Sequence, residues 1–385
     1  MDPYKAVLYI VVTILGTIVT IACVRLIWLA LGAYRINRAG PRRLLASKHA
    51  IWHDPGDVAA LDLVNGPGGN EGAPRPPFLF LEEHASGSQP CVSVRDSAGR
   101  RWRVKWGNEV RSENFAVRVA WACGYFAETT YFVNEGAIAG CGDLQRARAC
   151  IDERGKFREA RFELDDPAVH KLFEEHSWAW NDNPFIGTRE LNGLKILVML
   201  LSNWDAKDRR DVARGSNTAI FEERISRWRR EARYLITDWG GSMGRWGGNI
   251  MTRGRWDPAG FAAQTAQFVT GVEDGLVLFG YAGQRTADMA SGIRVEDTIW
   301  VCRYLGRITD GQIRAALMAS GATDEEAASF TVSLRDRISQ LERVGATRAT
   351  RRPDSTAPHA MLGQSSPDQR RRSKEAPRIH RSMRP

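Results

Sequence analysis

The sequence predicts an α+β domain: a β-rich first part with one helix, then a helix-rich second part, all behind one apolar N-terminal helix. Three observations predict it. First, Cys91–Arg95 and Arg101–Lys105 alternate apolar and polar residues as strands do, and Asp96-Ser97-Ala98-Gly99 between them has the composition of a hairpin turn. Second, Phe115, Val119 and Ala122 share one face of a helical period over Val110–Gly124, and Gly124 suits the position just past a helix end. Third, residues 258–344 repeat a mostly helical pattern, and the strongly apolar Leu191–Leu201 reads as a buried helix. Short strands are expected at Tyr131–Val133 and Tyr234–Thr237.

The N-terminal helix is expected to cross a membrane. Ala6–Val24 holds nineteen residues without a charge, which at helical rise covers roughly 28 Å. Leu26–Leu31 extends it, with Trp28 and Tyr34 as interfacial anchors, so the anchor and its extension span 6–34. Arg25, Arg35, Arg38, Arg42, Arg43 and Lys48 follow the span and only Lys5 precedes it, which places the domain on the cytoplasmic face of a single-pass protein. A cleaved signal peptide is the alternative; its basic n-region is weak, since Asp2 offsets Lys5. The lipid bilayer is therefore one expected partner.

The net charge of +9 does not mark a nucleic-acid binder. Residues 345–385 carry +7 and residues 1–48 carry +6, so the body between them is −4, whereas a nucleic-acid-binding fold carries its basic charge on the fold itself. The tail 345–385, rich in Arg, Ser and Pro, is expected to be disordered. Cys23, Cys91, Cys123, Cys141, Cys150 and Cys302 include no C-x-x-C pair, which argues against zinc; their even number permits disulfides, with Cys141 and Cys150 nearest in sequence, and buried free thiols are the plainer reading. The sequence specifies no oligomeric state.

Four features fall in a chemically suggestive order. Ser86-Gly87-Ser88 precedes the hairpin, and small residues there let backbone N–H groups approach phosphates. Lys105 ends the second hairpin strand and is followed by Glu109 and Glu113, four apart on one helical face; Glu113, further inside the helix, is preferred as its partner. Ser202-Asn203-Trp204-Asp205-Ala206-Lys207 follows the buried helix, with Asn217 beyond; an Asp there can accept a hydroxyl proton and a Lys can neutralise a moving phosphoryl group. Leu235-Ile236-Thr237-Asp238-Trp239-Gly240-Gly241 delivers a carboxylate into a glycine turn, where a hard cation such as Mg2+ is suited. Singly, each has a plainer reading as a surface turn, an exposed Lys or a capping Asp. Together they follow the chain order of a phosphoryl-transfer site.

On these residues the chain resembles the divergent branches of the kinase-like superfamily. Asn203-Trp204-Asp205-Ala206-Lys207 with Asn217 is similar to the N-x-D-x-H…N loop of HipA-type and CotH-type kinases, and in spirit to phosphatidylinositol 3-/4-kinases; Thr237-Asp238-Trp239-Gly240 resembles their Asp-Phe-Gly element. The resemblance implies a two-lobed kinase-like domain over 78–344, with an N-lobe over about 78–135 and a C-lobe over about 136–344, after a linker at 35–77. It implies ATP and Mg2+ as cofactors: Ser86, Gly87, Ser88, Lys105 and Glu113 for the nucleotide, Asp205 and Lys207 for catalysis, Asn217 and Asp238 for the metal. The phosphate acceptor is unspecified. The chain departs from the pattern in having no His-Arg-Asp triplet and no G-x-G-x-x-G loop, and in placing Asn217 twelve residues after Asp205, so that Asp208 or Asp211 can replace it. Two other readings stay open: a nucleotide-binding scaffold without turnover, and a metal-dependent hydrolase using Asp205, Asp208 and Asp238.

Overall fold

The computed structural model describes residues 4, 16–17, 19–20, 48–85, 87, 89–166, 169–171, 178–205, 217–247, 254–280 and 287–351. The expected anchor at 6–34 lies outside this set except for 16, 17, 19 and 20, which are helical. Among the described residues no helix is long and apolar enough to cross a membrane.

After β1 (Lys48–Ala50), five strands build a closed barrel: β2 (Phe78–Glu83), β3 (Cys91–Arg95), β4 (Arg101–Lys105), and, beyond helix α1 (Val110–Ala122), β5 (Thr130–Ala139) and β6 (Lys156–Leu164). Their order is β2-β3-β4-β6-β5, closed by a parallel β2–β5 contact. Alternation along the strands sends Val92, Val94, Trp102, Val104 and Phe162 into the barrel core. It sends Arg103, Lys105, Arg161 and Glu163 to the opposite face, with Lys105 opposite Arg161 in register.

The second lobe holds β7 (Val169–Lys171), α2 (Arg189–Leu200), β8 (Thr218–Ser226), β9 (Arg229–Ile236), α3 (Pro258–Ala263), β10 (Val269–Glu273), β11 (Leu276–Phe279), α4 (Ala287–Ala290), α5 (Val295–Leu305), α6 (Asp310–Ala319) and α7 (Asp324–Arg351). α2 is buried on every side from Leu191 to Leu200, as its largely apolar sequence requires. The Thr188 hydroxyl accepts from the Leu191 N–H and starts this helix. β9 and β8 form the centre of a sheet ordered β1-β9-β8-β7.

Several sequence expectations are met and others corrected. The β3–β4 hairpin, α1 and α2 stand where they were expected, and Gly124 follows α1 at φ +87. The barrel runs on past 135 to Leu164, because β6 bridges β4 and β5. The expected linker 35–77 supplies β1, which pairs with β9, and its Ile51, Val58 and Leu63 join the main core. The region 258–344 contains the β10–β11 hairpin, and α7 continues to Arg351, past the expected start of the tail at 345. Cys91, Cys123, Cys141, Cys150 and Cys302 are free thiols.

Candidate functional site

The Lys105 side chain leaves the end of β4 on the face turned away from the barrel core. Its ammonium group lies 3.1 Å from Glu109 Oε2 and 3.2 Å from Glu113 Oε1. Both acids that α1 offers therefore hold the lysine, where the sequence favoured Glu113 alone. Glu113 is buried and its other oxygen meets Arg161 Nε at 2.9 Å, while Arg161 also donates to Glu163 at 2.6 Å. Glu109 in turn meets Arg255 at 3.2 Å. One carboxylate oxygen from each of Glu109, Glu113 and Asp238 lies within 4.8 Å of the others. Three separate stretches of chain thus converge on one charge cluster.

The electrostatics follow from burial. Burial opposes the charged form of Lys105, but Glu113, Asp238 and Glu109 together outweigh it, despite Arg161, and hold the ammonium above the usual lysine range. For Glu113 burial wins: it pushes the carboxyl up to about 7 against the pull of Arg161 and Lys105, with Asp238 and Glu109 adding to the rise. Within the Lys105–Glu113–Arg161 chain, Lys105 is the member with its side chain still partly open, at 18% exposure.

β8 and β9 deliver the other half. Asn217 directly precedes β8 and Asp238 follows β9, so the open end of this hairpin sets them side by side; the Thr237 N–H donates to the Asn217 carbonyl at 2.9 Å. The Asn217 amide also donates to the Asp205 carbonyl at 2.6 Å. The twelve-residue separation of Asp205 and Asn217, irregular in sequence, is closed by this contact. Asp238 Oδ1 accepts from the Gly240 N–H at 2.9 Å, fixing the carboxylate over its own turn.

Two glycines allow the close approach. A Cβ on Gly240 would lie 2.7 Å from Glu109 Cγ, and one on Gly241 would lie 2.9 Å from both Asp205 Cβ and Asn203 Oδ1. The Ser112 hydroxyl donates to the Gly240 carbonyl at 3.0 Å and pins α1 to the Asp238 turn. Asn203 donates to the Asp238 carbonyl at 3.1 Å, and its Oδ1 is buried with no hydrogen-bond partner among the described residues. That orphaned oxygen, with Asn217 and Asp238 adjacent, is a donor set suited to a hard cation or the water on it.

Of the residues expected from sequence, the structure brings together Lys105, Glu113, Asp205, Asn217 and Asp238. Gly87 is described, at the β2–β3 connection, where its carbonyl accepts from Arg146 at 2.7 Å; Ser86, Ser88 and Lys207 lie outside the described residues, as do Asp208 and Asp211. Sequence reasoning missed Arg161, Arg255 and Arg337. Arg161 and Glu163 lie on one face of β6 and alternate with Ala160 and Phe162, a pattern that marks a charged but buried strand face. Arg337 reaches from α7 beneath the Asp205 loop, donating to the Leu200 carbonyl and Ser202 hydroxyl, each at 2.9 Å. Trp178 and Trp180 are packed in the core.

Beside the cluster is a cavity of about 350 Å3 lined by Arg103, Glu163, Phe221 and Leu235 among others. A larger one, about 1200 Å3, lies between the β4–α1 turn and the β5–β6 hairpin and includes none of the cluster.

No known family profile matches the chain, and no curated protein matches it. Among solved structures it is similar to a Helicobacter pylori proinflammatory kinase, CtkA, at 14% identity over 72% of this chain and 99% of that one, with a TM-score of 0.42. It is similar also to the Golgi casein kinase, at 9% identity over 79% of each chain and a TM-score of 0.37. A Golgi casein kinase with Mn/ADP bound matches at 9% identity over 72% of this chain and 74% of that one, with a TM-score of 0.34. Likenesses this distant assign no activity, which rests on the site itself.

Proposed function

We propose that the chain is an atypical kinase-like phosphotransferase that uses ATP with Mg2+. The observation that carries this reading is the convergence of Lys105, from a barrel strand, and Asp238, from the second lobe, on the paired acids of α1. A lysine held by a helix glutamate across from a strand-end Asp is an arrangement for gripping a polyphosphate from two sides.

In this reading Lys105 binds phosphate oxygens, and Glu109, Glu113 and Arg161 keep its ammonium from swinging away. Asp238 and Asn217 would hold the magnesium ion, with Asn203 Oδ1 facing the same turn. When bound, the ion supplies charge neutralisation for the phosphates. Asp205, rooted against Gly241 and tied through its carbonyl to Asn217, is positioned to accept the proton of an attacking hydroxyl. In the 350 Å3 cavity a nucleobase would find Phe221 and Leu235 for apolar contact among charged residues such as Arg103 and Glu163.

The test is a thermal-shift titration of the full chain with Mg-ATP, paired with transfer of labelled γ-phosphate. A ligand at about a hundredfold over its Kd stabilises the fold by about 2.7 kcal/mol. Asp238→Asn keeps the oxygen that bonds Gly240, so it should fold normally, bind Mg-ATP weakly and transfer nothing. A wild-type chain that neither shifts nor transfers overturns the proposal. A shift without transfer assigns the chain to nucleotide binding alone.

A further inference from the structure

The β8–β9 hairpin ends in a tip that solvent alone does not account for. Its register runs Arg224 opposite Arg230 and Ser226 opposite Arg229, leaving Arg227-Trp228 as the turn. Such turns ordinarily carry Asn, Asp or Gly. Here Trp228 is 84% exposed and Ile225 47% exposed, two large apolar side chains at one strand end.

The charge around them is of one sign. Arg230 is neutralised by Glu222 at its side. Among the described residues Arg224, Arg227 and Arg229 make no ion pair; Arg224 donates only to the Arg227 carbonyl, and the Arg227 guanidinium lies 5.0 Å from the Trp228 ring centre. An exposed tryptophan ringed by unpaired arginines is the chemistry of a lipid headgroup contact: indole settles at the interface, and guanidinium pairs with phosphate.

The topology adds an independent observation. β1 runs parallel to β9 with Lys48 opposite Glu231, two positions from the first residue of β9. β1 therefore starts beside this tip, and 47 residues precede it in the sequence. They contain the uncharged run Ala6–Val24, followed in 25–47 by five arginines and no acid. The sequence that leads into β1 thus holds an apolar stretch of membrane-spanning length, and β1 itself starts beside the basic aromatic tip.

We propose that the β8–β9 tip is a bilayer-contact site, with Trp228 and Ile225 entering the headgroup region of an anionic phospholipid surface and Arg224, Arg227 and Arg229 pairing with its phosphates. The contact is independent of the phosphotransfer reading. It fixes how the domain stands on the membrane.

The experiment uses the full chain reconstituted into vesicles of phosphatidylcholine, with or without phosphatidylserine, and with or without brominated acyl chains. The fluorescence lost in Trp228→Phe isolates the emission of Trp228 from that of the other tryptophans. In vesicles containing phosphatidylserine, bromination should quench at least half of that component. In Arg224→Gln/Arg227→Gln/Arg229→Gln the quenching should vanish, since each arginine near an anionic surface is worth roughly fivefold in occupancy. Circular dichroism checks that the variants fold. A Trp228 component that bromination leaves untouched and aqueous iodide still quenches overturns the proposal. Shielding from iodide that grows with protein concentration and ignores bromination overturns it too, and assigns the tip to a second copy of the chain.

Discussion

Replacing Arg161 by methionine removes the cation that the cluster depends on most while keeping most of the side chain's volume. Arg161 is buried between Glu113 and Glu163, at 2.9 and 2.6 Å. Removing one partner of a buried ion pair costs about 3–5 kcal/mol, because the other charge is left without compensation. Here the cost depends on pH in a defined direction. Glu113 already sits up at about 7 in the folded chain, and loss of Arg161, the strongest influence pulling it down, moves it higher still. A carboxyl raised in the fold contributes stability in full below its unfolded value, and that contribution is lost as pH rises through the folded value. Arg161→Met should therefore fall further below the wild-type urea midpoint at about pH 8, where Glu113 is charged, than at about pH 5, where Glu113 is neutral and the lost contact to Glu163 is the main cost. The assay is urea denaturation of both proteins at the two pH values. Equal destabilisation at both would mean that Arg161 acts by packing alone and would refute the electrostatic account.

Gly240→Ala drives a methyl group into buried Glu109, and overpacking of this kind costs about 1–3 kcal/mol; the melting temperature should drop and Mg-ATP affinity should fall with it. Asn217→Ala frees the Asp205 carbonyl and removes a proposed metal ligand, so kcat should fall more than tenfold and partial rescue by raised magnesium is expected. Arg337→Met strands the Leu200 carbonyl and Ser202 hydroxyl, and it should cost about 3 kcal/mol in chemical denaturation, since buried groups lose a charged donor.

The parts of this site that were legible in sequence are those carried by local pattern. The β3–β4 hairpin with Lys105 at its end, the following helix with Glu109 and Glu113, and the strand ending at Asp238 all announce themselves through alternation, periodicity and glycine turns. What was not legible depends on long-range pairing. Arg161 reads as one charge in a charged strand until β6 is set against β4, opposite Lys105. The choice between Glu109 and Glu113 could not be made from helical position, because Lys105 reaches both. The place of β6 was hidden for a similar reason: nothing local to 156–164 says that it belongs to a barrel begun at 78. Asn217 was doubted on spacing alone, a measure blind to the hairpin geometry that returns the chain to Asp205.

β9 has one further consequence. The same eight-residue strand carries the Trp228 turn at its start and Asp238 just beyond its end. The two stand ten positions apart, and at about 3.3 Å per position that is a standoff of roughly 30 Å. With the tip seated on a bilayer and the strand upright, the phosphates at Lys105 and Asp238 would sit beyond the headgroups. A lipid phosphate or inositol ring lying in the plane of the membrane would be out of reach. Under the two proposals taken together, an acceptor would have to rise to that height, as the exposed segment of a protein held on the same surface would, and the length of a hairpin would act as a substrate filter.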